Sequence, residues 1–238
     1  IELSSEWLDI ELASAGTLGV EVLYQVNVLS DVEFLKVKGN LNSTDWTNIG
    51  QMRNLIALDL SEAKFDAVPN SAISGCYQLS NIKLPEGVKT IGEYAFSGKP
   101  LLSIEIPSTV TSIGQYAFNS SGLLSINFKE DSKLQTIGYR AFNECSYLRE
   151  FIMPNSVTKL GTYQNQSDKE CSVFNECASL KKIHFSNSLA TLEQYVCCNC
   201  NNLVDVVSIV ATSITVSEET EVAIPDIDFF CFESLGFF

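Results

Sequence analysis

Cys197, Cys198 and Cys200 fall in the run CCNC, whose outer pair has the Cys-x-x-Cys spacing of zinc sites and dithiol redox centres. A tetrahedral zinc site needs four ligands at matching range. The chain's only histidine, His184, lies in another segment, KKIHF, beside Lys182. It has no Ser, Cys or carboxylate at a motif-like spacing, so it reads as a solvent-facing strand residue and not as a catalytic base. Nothing resembles a phosphate loop, a nucleophile elbow or a HExxH helix. Carboxylates are plentiful, but a glycosidase pair must face a cleft, and the sequence shows none. The expectation is a non-enzymatic chain with no metal site and no cofactor.

Composition narrows the partners. Fifteen Lys and Arg against 29 Asp and Glu give a formal charge of −14, which repels phosphate backbones and anionic membrane surfaces. Nucleic acid is thereby excluded as a partner. No apolar run approaches the ~20 residues that span a bilayer, so direct membrane insertion is not expected. The chain opens at Ile1 with no Met and no signal-peptide core, and reads as a mature or trimmed segment.

The elements that would position any site come from a repeat. A frame of the form Leu-x-x-Ile-x-Ile-Pro occurs at Leu79–Pro85 (LSNIKLP) and Leu101–Pro107 (LLSIEIP). Altered copies follow at Leu123–Lys129, Leu148–Pro154, Leu180–Ser186 and Leu203–Ile209, and earlier ones at Val32–Lys38 and Leu55–Ser61. The central apolar residues are Leu35, Leu58, Ile82, Ile104, Ile126, Phe151, Ile183 and Val206, spaced by 23, 24, 22, 22, 25, 32 and 23. The longer intervals hold extra residues, in EDSKLQ and in GTYQNQSDKECS, which loops absorb at little entropic cost.

A second signature lies inside each repeat: VKTIGEYAF (88–96), VTSIGQYAF (110–118) and LQTIGYRAF (134–142). Val-x-x-Ile-Gly predicts a short strand ended by a glycine turn, followed by one helical or 3₁₀ turn that points Ala-Phe inward. Four of the eight cysteines, Cys76, Cys145, Cys177 and Cys200, each follow the Ile/Phe position of their repeat by three residues. Residues at one repeat position stack, so these are expected as small buried hydrophobes. Cys171, in the second insertion, is the candidate for a disulfide, to Cys177 or Cys198.

The frame LxxIxIP…VTxIGxYAFxxC resembles the BspA-like leucine-rich repeat of secreted and surface proteins, typical of Bacteroides and relatives. The resemblance is good over 55–203 and looser at both ends. It implies an α/β fold leaning β: a right-handed leucine-rich-repeat solenoid with a parallel sheet, about eight coils mostly of 22–25 residues, and an N-terminal helical cap. It also implies a secreted or cell-surface binding or adhesion module for a protein or glycan, with a passive spacer for another domain as the alternative.

Three regions follow. Residues 1–54 form a cap plus the first degenerate repeat, with a strand over Trp7–Leu12, a helix over Thr17–Val28 and another over Asp45–Met52 capped by Ser43 or Thr44. Residues 55–203 form the repeats, with an insertion at 161–171. Residues 204–238 form a degenerate last repeat whose Phe-rich end reads as a cut surface.

Strand side chains alternate, so the residues flanking each inward position line one outer face. They are Ala57 and Asp59, Asn81 and Lys83, Ser103 and Glu105, Ser125 and Asn127, Glu150 and Ile152, and Lys182 and His184. From Asn81 onward they are the candidate ligand-binding residues. Tyr163, Asn165 and Gln166 of the insertion form a second candidate patch.

Overall fold

A computed structural model of the chain describes residues 7–161, 173–189 and 196–207. The first strands are β1 (Leu8–Glu11), β2 (Phe34–Asn40), β3 (Ala57–Lys64), β4 (Ala67–Val68), β5 (Asn81–Lys83), β6 (Thr90–Ile91), β7 (Ser103–Ile106) and β8 (Ser112–Ile113). Then come β9 (Ser125–Phe128), β10 (Thr136–Ile137), β11 (Glu150–Ile152), β12 (Lys159–Leu160), β13 (Phe174–Asn175), β14 (Lys182–His184), β15 (Cys197–Cys198) and β16 (Asp205–Val207). Every pairing between them is parallel and joins strands of successive coils.

The Leu-x-x-Ile frames build the first sheet, in three hydrogen-bonded stretches: β1-β2-β3-β5, β7-β9 and β11-β14-β16. The Val-x-x-Ile-Gly signatures build a second, β4-β6-β8-β10-β12. Between the two lies the core, where Leu35, Leu58, Ile82, Ile104, Ile126, Phe151 and Ile183 are all buried.

Columns of identical residues run along this core. Phe96, Phe118, Phe142 and Phe174 stack with ring centroids 5.2, 5.3 and 5.4 Å apart. Complete burial of one such ring is worth about 1.5–3 kcal/mol. Glycines form another column because consecutive coils approach closely there. A Cβ on Gly114 would lie 2.7 Å from the Glu93 backbone nitrogen, and one on Gly138 would lie 2.6 Å from that of Gln115.

The segment after Ile-Gly differs from the expected helical turn. Tyr94 and Tyr116 sit at φ 53° and Arg140 at 49°, all left-handed, and no helix forms. A left-handed residue costs roughly 1–2 kcal/mol. What it permits is hydrogen bonding to the neighbouring coil: Tyr94 N–H donates to Gln115 O at 3.0 Å, Phe96 N–H to Ala117 O at 2.7 Å and Gly98 N–H to Asn119 O at 2.7 Å.

Two further columns flank the phenylalanines. Asn119, Asn143 and Asn175 form an amide ladder, each side chain donating to the one before it, at 2.6 and 2.8 Å. In the last coil Cys198 occupies this position, and the next residue, Asn199, reaches Asn175 Oδ1 at 3.0 Å instead. Beside it runs the predicted cysteine column. The thiols of Cys76, Cys145 and Cys177 each donate to a carbonyl of the preceding coil at 3.1 Å. Lys99 and Ser121 occupy the intervening positions. Lys99 is only 3% exposed, and its Nζ donates to Ser74 O at 2.9 Å and lies 5.5 Å from the centre of the Tyr77 ring.

In the cap the first helix is shorter than the sequence suggests, and the second has the expected length but begins two residues earlier. The first helix, α1, covers only Leu18–Leu23, and a 3₁₀ turn follows at Leu29–Asp31. The second, α2, runs from Ser43 to Gly50, with Trp46 and Ile49 buried. Its N-cap is Asn42, and neither Ser43 nor Thr44. The Asn42 side chain accepts from the backbone of Thr44 and Asp45, while Asp45 accepts reciprocally from Asn42 N–H. The buried Asp45 carboxylate also takes Gly16 N–H at 2.7 Å and Leu18 N–H at 3.0 Å, tying α1 to α2.

Candidate functional site

The outer face of the first sheet carries every candidate ligand residue that falls within the described parts. Asn81 and Lys83 lie on β5, Ser103 and Glu105 on β7, Ser125 and Asn127 on β9, Glu150 and Ile152 on β11, and Lys182 and His184 on β14. Tyr163, Asn165 and Gln166 lie outside the described residues. His184 departs from expectation: it is half-buried between Ile152 and Val207 in the strand register, and its Nε2 is buried with no hydrogen-bond partner.

Ion pairs cross this face from strand to strand. Lys83 meets Asp59 at 3.3 Å, and Lys182 meets Glu150 at 3.5 Å and Asp205 at 3.8 Å. Lys129 meets Glu86 at 2.8 Å and Glu105 at 3.3 Å, and those hydrogen bonds raise its pKa. Burial pulls the Asp59 carboxyl upward, but hydrogen bonds from Ser61 and Lys83 outweigh it, and its pKa falls below the usual carboxylate value.

An open groove of about 640 Å³ interrupts the face between β9 and β11. It gathers Ser125, Asn127, Glu150 and Ile152 from the candidate set. Asn81, Lys83, Ser103, Glu105, Lys182 and His184 do not line it. Sequence reasoning missed its remaining walls, which include Leu124, Arg149, Asp131 and Pro154. Leu124 and Arg149 occupy the second position of the Leu-x-x-Ile frame, which points outward, and Asp131 belongs to the stretch EDSKLQ, whose extra residues were the available signal. Phe128 and Phe151 remain in edge contact at 5.6 Å, so the core continues beneath the groove.

The Cys-x-x-Cys pair is divided between two columns. Cys197 stands at the phenylalanine position, in register with Phe174, and Cys200 joins the thiol column, its Sγ 3.6 Å from Phe174 O. Among the described residues no group of three or more His, Cys, Asp or Glu side chains is placed to hold a metal ion. Cys198 is disulfide-bonded, whereas Cys177 is a free thiol, which removes it as the expected partner of Cys171; Cys171 itself lies outside the described residues. Burial pushes the Cys76 thiol up to about 11 and the Cys145 thiol up to about 12. Cys177 and Cys200 are hydrogen-bonded to each other, which raises the first and lowers the second.

Stacked parallel coils with a Leu-x-x-Ile sheet on one side define a leucine-rich-repeat solenoid. The model of the BspA type leucine rich repeat region matches six copies, over residues 51–172 and 164–220. The chain belongs to that family. Among solved structures it is similar to the leucine-rich repeat protein of T. pallidum, with 27% identity, a TM-score of 0.55, and coverage of 66% of this chain and 71% of that one. It is also similar to a leucine-rich repeat protein from Bacteroides ovatus, with 18% identity, a TM-score of 0.46, and coverage of 83% of this chain and 54% of that one. A leucine rich cell surface protein from Faecalibacterium prausnitzii gives 19% identity, a TM-score of 0.34, and coverage of 77% and 74%. No curated protein matches the chain.

Proposed function

We propose that the chain is a non-catalytic, surface-displayed module that recognises a macromolecule through the outer face of its first sheet, centred on the groove between β9 and β11. The observation that carries this reading is the convergence of Ser125, Asn127, Glu150 and Ile152 on one open groove, among a mixture of apolar, polar and charged walls. Surface display rests on the kinship with BspA-type proteins. Among the described residues no helix is long and apolar enough to cross a membrane.

The test is to probe arrays of intact proteins and of glycans with the chain. A retained hit should weaken with Asn127→Arg or Ile152→Asp in the groove. It should survive combined substitution of Lys83, Glu105 and His184, which lie outside it. Loss with the second set alone would move the site elsewhere on the face.

A passive spacer is the second reading, favoured by the strand-to-strand ion pairs. They engage Lys83, Glu105, Glu150 and Lys182 within the molecule and leave these side chains less available to a partner. Arrays without any hit that depends on the sheet face would support it.

A further inference from the structure

The groove coincides with one of the two interruptions in the face's hydrogen-bonded backbone, the other lying between β5 and β7. In a parallel sheet, successive residues direct their N–H and C=O alternately to the two neighbouring strands. On β11, Arg149 O accepts from Lys181 and Lys182, and Met153 N–H donates to His184 O, so these odd-numbered residues face β14. Glu150 and Ile152 therefore face β9. On β9, which pairs with β7 from Ser125 to Phe128, Lys129 N–H bonds to Ile106 O, so Ser125 and Asn127 face β7 while Ile126 and Phe128 face β11. No backbone hydrogen bond joins β9 to β11, and they belong to separate hydrogen-bonded stretches. The groove thus contains strand backbone whose hydrogen-bonding groups have no strand partner.

Its side chains are selective too. Leu124 and Ile152 are 43% and 54% exposed, with Pro154 nearby, so the groove offers aliphatic surface. Phe128 is its only aromatic lining residue, and it is half-buried, which leaves no open flat ring for a sugar to stack on. Lys129 and Glu150 are occupied by ion pairs. Arg149 and Asp131 are the charged lining residues with no ion pair among the described residues. Their complement carries both a carboxylate and a cation, together with backbone donors and acceptors. A peptide has all of these, and a neutral glycan has neither charge.

We propose that this groove binds an extended peptide, with an aliphatic side chain against Leu124 and Ile152 and side chains of opposite charge on Arg149 and Asp131. The proposal rests on the sheet-face reading above and adds the class of partner. Main-chain bonds to the unpaired strand edges would supply affinity, and the aliphatic and charged contacts would supply selectivity. Arg149 suits a carboxylate because its planar fork can donate two parallel bonds.

The experiment is to pan a phage-displayed library of random short peptides on the whole chain, then measure enriched sequences as fluorescent synthetic peptides by anisotropy. Enrichment of an aliphatic residue with an acidic and a basic neighbour is expected. Arg149→Glu should weaken binding about tenfold or more, and replacing the peptide's acidic residue with lysine should restore it to that variant. Backbone N-methylation of the peptide should weaken binding, while Lys83→Ala, outside the groove, should leave it unchanged; circular dichroism would verify that each variant is folded. Enrichment without that pattern, equal loss with Lys83→Ala, or no rescue by the charge swap would overturn the proposal. If array hits depend on the groove yet no peptide enriches, the peptide assignment falls and the sheet-face reading stands; a groove-dependent glycan hit would have the same meaning. If no array hit depends on the face, both fall.

Discussion

Asn143 donates from its side-chain nitrogen to Asn119 Oδ1 at 2.6 Å, one coil away, and accepts in turn from Asn175 at 2.8 Å. The ladder is therefore continuous through Asn143, which is itself buried. Asn143→Ala should leave a donor and an acceptor unsatisfied on neighbouring coils and cost about 1–3 kcal/mol. Asn199→Ala, at the end of the ladder, should cost less. Urea unfolding of the two variants checks the order.

Asp45 holds three backbone N–H groups, those of Gly16, Leu18 and Asn42. Asp45→Ala should destabilise the cap by about 2–3 kcal/mol, since buried donors lose a charged acceptor. Hydrogen exchange should quicken at those amides before it changes in the repeats.

The glycine column predicts an unequal pair. A Cβ on Gly114 meets the backbone of Gly92 and Glu93 at 2.7 Å, whereas one on Gly87 meets nothing within 4 Å. Gly114→Ala should force the coils apart and lower the thermal midpoint sharply. Gly87→Ala should show only the milder cost of its φ of 108°, about 1 kcal/mol.

Cys145 gives a pH signature. Burial raises its thiol from 9.0 to about 12, so the folded chain holds this proton more tightly than the unfolded chain. That contribution is fully present below pH 9 and is lost as pH rises toward 12. Urea midpoints measured between pH 8 and 11 should fall less steeply for Cys145→Ala than for the parent. At pH 8, alkylation of Cys145 should be slow until the chain unfolds.

The sequence made the coil legible because apolar residues that share one core must recur at the coil's own period. Ile82, Ile104 and Ile126 mark strands on that account alone, and the cysteine column follows from the same register. Other features carried weaker signals. Asn42 lost the N-cap position on paper to Ser43 and Thr44 because all three side chains can cap, and only the reciprocal bond to Asp45 separates them. The left-handed tyrosines hide because nothing about the Tyr side chain asks for positive φ; the requirement comes from the neighbouring coil's carbonyl. Lys99 was invisible as a core residue because its aliphatic stem is buried while its amine finds a backbone oxygen. The outer face was legible as a list of residues, but the groove was not, because it depends on two strands failing to bond.

The glycine, phenylalanine, asparagine and thiol columns also set the unit by which such a chain can lengthen. Duplication of one whole coil would place every column back on itself, so a gene encoding this architecture can gain length by recombination between its own repeats without redesigning the core. A shorter gain has to leave the columns undisturbed and emerge where none passes. The extra residues of EDSKLQ do this, falling between Phe128 and the next phenylalanine of the column, Phe142, and the groove lies beside them.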